Sequence, residues 1–278
     1  DLLADKNYDQ LLTFGYNNFK RTIGNNYFNF LVTEGDPQIR AAESLLSHKT
    51  VEHCSSIARS IPEDPASPCR DQRSYYFFVL LLWEYVKVLD SMHLADSLSE
   101  PEEGNPILVS SGGQNASQDL ANSLIEYYSM SEGVSFHQIK RVLEIGGGYG
   151  RNAYVILKNN PDIQVTLVDI PPALYIAQRY LSSVFKDRRV FKMRDFSSYE
   201  EVRSELESAS IVFLMPHQLS LMPQGRFDLS MNVSSFGEMG LNQIKQYFEE
   251  LERITSKYFY MKQWRLSKNV FDETELCE

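Results

Sequence analysis

The stretch RVLEIGGGYGRNA, residues 141–153, constrains this chain more than any other. A short apolar run from Val142 to Ile145 leads into four glycines in five positions, and a helical pattern starts near Arg151. A strand must therefore turn sharply into a helix. Gly146, Gly148 and Gly150 permit positive φ and let a ligand approach the backbone closely. The helix N-terminus behind the loop offers unpaired N–H groups and a partial positive charge. A tight βα turn without a ligand has the same first requirement, so the loop alone does not separate a site from a turn.

Its neighbours narrow the choice. A dinucleotide fingerprint needs G-x-G-x-x-G, with the third glycine allowing close helix–strand packing. Counted from Gly146 and Gly148, that third position is Arg151. The order here is E-x-G-x-G-x-G, with Glu144 two residues before the first glycine. A carboxylate is a poor neighbour for pyrophosphate and suits a ligand that carries its own positive charge. The local chemistry favours S-adenosylmethionine. A second buried run, QVTLVD at 164–169, ends in Asp169, 25 positions after Glu144. At the tip of a neighbouring strand this acid can accept hydrogen bonds from ribose hydroxyls. On its own, Asp169 is equally a helix cap before Pro171 and Pro172.

Charge and cysteines exclude some classes. The chain has 278 residues and a net charge of −10, and its first 113 residues hold 9 basic against 16 acidic side chains. Such a surface repels phosphate backbones, which argues against nucleic acid. Cys54, Cys69 and Cys277 make an odd set without a C-x-x-C pair. That speaks for a reducing compartment, expected to be the cytoplasm, and against structural zinc. The longest apolar run, YYFFVLLLW at 75–83, is far short of the roughly 20 residues of a membrane span.

The pattern changes along the chain. Residues 1–113 read as a helical unit. YDQLLTFGYNNFKRTIGNNYFNFLV predicts two helices broken near Gly24, PQIRAAESLLSHKTVEHCSSIA a helix pair, and SYYFFVLLLWEYVKVLDSMHL the strongest helix. SEPEEGNPILVSSGGQN, 99–115, reads as a linker, with EPEE at 100–103 solvated. A helix restarts after Asn115, its expected N-cap, with Gln118 as capping-box partner. From 114 to 278, strand and helix alternate, which predicts an α/β fold with a doubly wound, Rossmann-like parallel sheet in the order 3-2-1-4-5. The charged stretch SYEEVRSELESA reads as an insertion before the strand IVFLM. LNQIKQYFEELERI reads as an amphipathic helix with Leu241, Ile244, Phe248 and Leu251 on one face.

Seven stretches carry a resemblance: NFKRTIGNNYF, LSEPEEGNP, SQDLANSLIE, VLEIGGGYGRNA, VDIPPALYIAQRYL, FDLSMNVSSFGEM and YFYMKQW. With them the chain resembles the class I S-adenosylmethionine-dependent methyltransferases, and within these the bacterial sugar O-methyltransferase family. The resemblance implies an O-methyltransferase acting on a sugar or a glycosylated small molecule, with residues 1–113 as lid and acceptor platform. Other readings stand beside it: a methyltransferase of a non-sugar natural product, and a non-catalytic S-adenosylmethionine-binding partner. Class I sheets usually finish with an antiparallel hairpin. Only RLSKNVFDETELCE follows Trp264, too short for a helix and two strands, so a truncated or unusual end is expected.

The cofactor set expected from this reading is Glu144, Gly146, Gly148, Gly150, Asp169, Ile170, Gln118 and Asn232. Gln118, Asn122 and Glu126 share one helical face, which reads either as a solvated face or, by the resemblance, as part of the pocket. Methyl transfer to a hydroxyl needs in-line positioning and a general base. Glu238 and His217 each follow a predicted strand tip and are the expected catalytic pair, against the alternatives of a first-turn helix acid and a solvated loop histidine. Asp195 is a third candidate base that reads rather as structural, and Asp228 reads as the start of its strand and not as catalytic. No tight carboxylate cluster stands at a strand tip, so no metal is expected, and the oligomeric state is left open.

Overall fold

In the computed structural model, residues 16–26, 28, 36–65, 71–111, 113–263, 266–268 and 275–277 are described. The chain divides into two compact units, residues 1–128 and 129–278. The division falls later than the expected boundary at 113, inside the helix that restarts there.

The first unit is helical: α1 (residues 16–26), α2 (Asp36–Ser44), α3 (His48–Ser60), α4 (Gln72–Leu89) and the short α5 (Leu94–Ser97). Residues 8–15, the start of the expected first helix, lie outside the described residues. α1 runs through Gly24 without a break. A Cβ there would lie 2.9 Å from Ile107 Cδ1, so close packing accounts for this glycine. Ser47 and Asp71 cap α3 and α4 by accepting the N–H groups of Thr50 and Ser74. α4 buries Tyr75, Tyr76, Phe78, Leu80, Leu81 and Trp83, more than one face, as its continuous apolar run requires.

The expected linker contains structure. β1 (Val109–Ser111) and β2 (Gln114–Ala116) pair antiparallel around Gly113 at φ 86°. The acidic stretch is not solvated at Glu100. Its carboxylate is buried and binds Lys20 Nζ and Ser117 Oγ, and Lys20 also donates to the Pro101 carbonyl at 3.0 Å. An ammonium buried at 1 % exposure requires such a partner. α6 (Gln118–Ser131) begins two residues later than expected. Ser117 caps it through Leu120 N–H at 3.0 Å, while Asn115 sits in β2. Of the two readings of the α6 face, the solvated one does not hold, because Gln118 and Glu126 are both buried.

The second unit is built on a six-stranded, wholly parallel sheet. Its elements are β3 (Arg141–Ile145), α7 (Arg151–Asn159), β4 (Gln164–Val168), α8 (Pro171–Val184), β5 (Val190–Phe191), α9 (Tyr199–Ser208), β6 (Ile211–Leu214), β7 (Phe227–Val233), α10 (Leu241–Ile254) and β8 (Thr255–Lys262). The order is β5-β6-β4-β3-β7-β8. The five expected strands stand as 3-2-1-4-5, with the short β5 added outside β6. The charged insertion is α9, the crossover helix between β5 and β6. Its apolar positions Val202 and Leu206 are buried while its glutamates face water. Leu143, Ile145, Val168, Phe236, Leu251 and Ile254 belong to one apolar core against one face of the sheet, with Val202 and Leu206 of α9. On the last stretch, β9 (Leu266–Lys268) and β10 (Glu275–Cys277) pair antiparallel as a separate ladder, with no helix between them among the described residues.

From β3 the chain winds outward through β4 and β6 and then returns to β7 on the other flank of β3. The direction reverses at β3, and crevices form outside the carboxyl end of a strand at such a point. Among the described residues no helix is long and apolar enough to cross a membrane.

Candidate active site

The glycine loop fills that switch point. Gly146, Gly148 and Gly150 take φ of 69°, 53° and 90°, in the left-handed region that favours glycine. The loop is internally tied: Gly146 N–H donates to the Val168 carbonyl at 2.8 Å and Gly150 N–H to that of Gly147 at 2.9 Å. Gly150 then caps α7 and accepts from Tyr154 N–H at 3.0 Å. A Cβ at Gly150 would lie 2.8 Å from Leu181 Cδ1, so close helix packing falls to Gly150 and Arg151 stands free to differ from the dinucleotide pattern. Nothing lies within 4 Å of the Cβ position of Gly148, which faces open space.

Asp169 follows β4. Its carboxylate accepts Gly148 N–H at 2.8 Å and Ile170 N–H at 2.7 Å. Burial raises the Asp169 carboxyl above its ordinary range, and these two N–H groups oppose the rise. Each oxygen keeps a further lone pair for a hydroxyl donor. Ile170 beside it is an apolar side chain 60 % exposed, a ready face for an aromatic base. Glu144 is buried under the loop and accepts Asn152 Nδ2 at 2.8 Å. Tyr247 of α10 was not singled out from the sequence. Burial and the nearby charge of Asp169 raise its phenol above the usual value.

Asn232 at the end of β7 is fully buried. Its Nδ2 donates to the Ile145 carbonyl at 2.9 Å and to Ser235 Oγ at 2.5 Å, and its Oδ1 accepts Gln263 Nε2 at 2.6 Å. The expected cofactor ligand is thus engaged with protein groups on both ends. Gln118 belongs to the helical unit, where its Oε1 accepts the Tyr75 hydroxyl at 3.2 Å.

Glu238 ends the 3₁₀ turn Phe236–Glu238 after β7, and its N–H donates to the Ser235 carbonyl at 3.1 Å. His217 lies in the 3₁₀ segment Pro216–Leu221 after β6. Both side chains are exposed. β7 adjoins β3, whereas β6 is separated from β7 by β4 and β3. Three strand spacings amount to roughly 14 Å. Each follows a strand tip as expected, on opposite sides of the switch point, with Glu238 on the strand beside β3 and His217 two strands away from β3. Asp195 is exposed after β5. Asp228 lies at the opposite end of the sheet, accepting Lys140 and Arg141 N–H and pairing with Lys257 at 3.0 Å. Among the described residues no three His, Cys, Asp or Glu side chains stand together as a metal site.

Residues 99–214 match the model of the O-methyltransferase domain. A search of curated proteins finds no match. Among solved structures, the chain is similar to the PH0226 protein from Pyrococcus horikoshii OT3, at 17 % identity over 49 % of this chain and 54 % of that one, with a TM-score of 0.34. It is also similar to the glycopeptide N-methyltransferase MtfA complexed with sinefungin, at 15 % identity over 50 % and 52 %, TM-score 0.33. A third is PKMT2 from Rickettsia typhi in complex with AdoHcy, at 15 % identity over 44 % and 20 %, TM-score 0.32. The chain spans about half or less of each of them. At these scores the fold rests on the strand order itself. The family match spans residues 99–214, less than half of the chain, and includes the glycine loop and Asp169.

Proposed function

We propose that this chain transfers the methyl group of S-adenosylmethionine to a hydroxyl oxygen of a sugar or a glycosylated small molecule. The observation that carries the reading is the tie between the glycine loop and Asp169 at the switch point, which presents an acid, an exposed apolar face and open backbone together. The sugar class is supported by the likeness of SQDLANS and NVSSFGEM to the sugar O-methyltransferase family, and the oxygen acceptor by the domain match.

When bound, S-adenosylmethionine supplies an activated methyl on a sulfonium. The protein's part is to hold and to deprotonate. Asp169 takes the ribose hydroxyls, Ile170 lies against the base, and Gly146 to Gly150 hold the amino-acid end. Glu144 places a carboxylate beneath the loop, which favours a cationic ligand. Glu238 is the general base, since its strand adjoins the loop-bearing strand. His217, farther along the sheet, contacts a more distant part of the acceptor. A positioned base contributes about 10²–10⁴-fold.

The test is release of S-adenosylhomocysteine from S-adenosylmethionine against a panel of methyl glycosides, nucleotide sugars and phenols. Turnover on the carbohydrate members supports the reading. Turnover confined to the phenols replaces the sugar with a different natural product. Cofactor binding with no turnover on any member leaves a binding module.

A further inference from the structure

We propose that Ser235 and Asn232, anchored by Gln263, are positioning residues that set the amino-acid side of the cofactor loop without touching the cofactor. The proposal rests on the reading of the loop as an S-adenosylmethionine site. Gly146 is gripped from two strands. On one side its N–H donates to the Val168 carbonyl of β4 at 2.8 Å. On the other, the Ser235 side chain lies directly over it: a Cβ on Gly146 would fall 2.0 Å from Ser235 Oγ and 2.3 Å from Ser235 Cβ.

Ser235 is not free to move away. Its Oγ receives Asn232 Nδ2 at 2.5 Å and faces the Ile145 carbonyl at 3.3 Å. Asn232 Nδ2 donates to that same carbonyl at 2.9 Å. Ile145 immediately precedes Gly146, so the orientation of its carbonyl fixes the peptide plane from which the left-handed Gly146 departs. Beyond Asn232, Gln263 Nε2 holds Oδ1 at 2.6 Å, and Ser234 N–H donates to the Lys262 carbonyl at 2.8 Å. Ser234 is itself at φ 60°, a left-handed conformation that a serine holds only when its surroundings impose it. The ends of β3, β7 and β8 therefore meet in one partly buried network centred on the fully buried Asn232, whose hydrogen bonds hold both of its ends.

The loop is then held at two separate points. Asp169 fixes Gly148 on the ribose side, and the serine–asparagine pair fixes Gly146 on the side toward the amino-acid tail. A consequence separates positioning from general stability. Loosening Gly146 should cost affinity only for ligands that carry the amino-acid tail. S-adenosylhomocysteine has it, and 5′-methylthioadenosine does not.

The experiment is calorimetric titration of Ser235→Ala, Asn232→Ala, Gln263→Ala and Asp169→Asn with these two ligands, beside the melting temperature of each ligand-free variant. Ser235→Ala should weaken S-adenosylhomocysteine about tenfold and leave 5′-methylthioadenosine within about twofold, at an unchanged melting temperature, and Asn232→Ala should show the same ligand split at a lowered melting temperature, since it strands buried partners. Asp169→Asn should weaken both ligands. Equal weakening of both ligands by Ser235→Ala would mean general loosening and overturns the proposal. So does unchanged S-adenosylhomocysteine affinity in Ser235→Ala while Asp169→Asn weakens both. If Asp169→Asn moves neither ligand, the cofactor reading itself fails and this proposal with it. Should Asn232→Ala not fold, the half-buried Ser235 and Gln263 carry the same test.

Discussion

Asp169 Oδ2 accepts the backbone N–H of Gly148 at 2.8 Å, joining the tip of β4 to the loop that leaves β3. One carboxylate thereby shapes the loop and keeps acceptor capacity for a ligand. Asp169→Ala removes both functions. S-adenosylhomocysteine affinity should fall by about 1–3 kcal/mol, read by calorimetry.

The same carboxylate predicts a pH dependence. Burial raises its folded pKa, so it protonates at a higher pH than an ordinary aspartate. Ribose hydroxyls need the ionised acceptor. Affinity for S-adenosylhomocysteine should be flat around neutrality and fall as pH drops through the raised value. In Asp169→Asn that acid limb should vanish from the titration series.

At the far end of the sheet, Arg226 is buried and donates to Glu207 at 2.7 Å and to Gln164 Oε1 at 2.9 Å. Arg226→Ala strands these acceptors and should destabilise the fold by about 3 kcal/mol, measured by denaturant unfolding. Cofactor affinity of the folded fraction should not change, because the network sits at the amino ends of the strands.

Glu207 and Asp228 share a linkage of opposite sign to that of Asp169. Burial pushes each up, but Tyr199, Arg226 and Arg141 for Glu207, and the N–H groups of Lys140 and Arg141 with Lys257 for Asp228, hold both below their ordinary values. A depressed carboxyl stabilises the fold above its unfolded pKa and loses that contribution as pH falls through the folded value. Unfolding midpoints should therefore decline below about pH 4.5, and the decline should be shallower in Glu207→Gln.

The base assignment separates Glu238 from His217. On whichever panel acceptor turns over, Glu238→Gln should lower kcat by about 10²-fold or more, with cofactor affinity unmoved. His217→Asn should act on acceptor KM before kcat. The reverse pattern would transfer the base to His217.

The central strands were legible because β3, β4 and β6 are short apolar runs between helical patterns, as burial on both faces demands, whereas the two-residue β5 left no such mark. Loop, spacing and Asp169 were legible for the same reason: glycine needs and a strand-end acid leave marks at fixed distances. What failed was the inference from polarity to solvent. Glu100 looks solvated in EPEE, yet it is buried because Lys20, far away in sequence, meets it. Gly24 reads as a helix break, but its reason is the approach of Ile107. Asn232 was expected to face a ligand from its position at a strand tip. Its partners Ser235 and Gln263 become visible only when β3, β7 and β8 end side by side.

Calorimetric titration of the wild-type chain with S-adenosylhomocysteine and, separately, with NAD tests the central claim most directly. The account predicts S-adenosylhomocysteine binding that Asp169→Asn weakens, and no NAD binding, since Arg151 and Glu144 stand where a pyrophosphate site has glycine and no carboxylate. NAD binding with S-adenosylhomocysteine left unbound would contradict it.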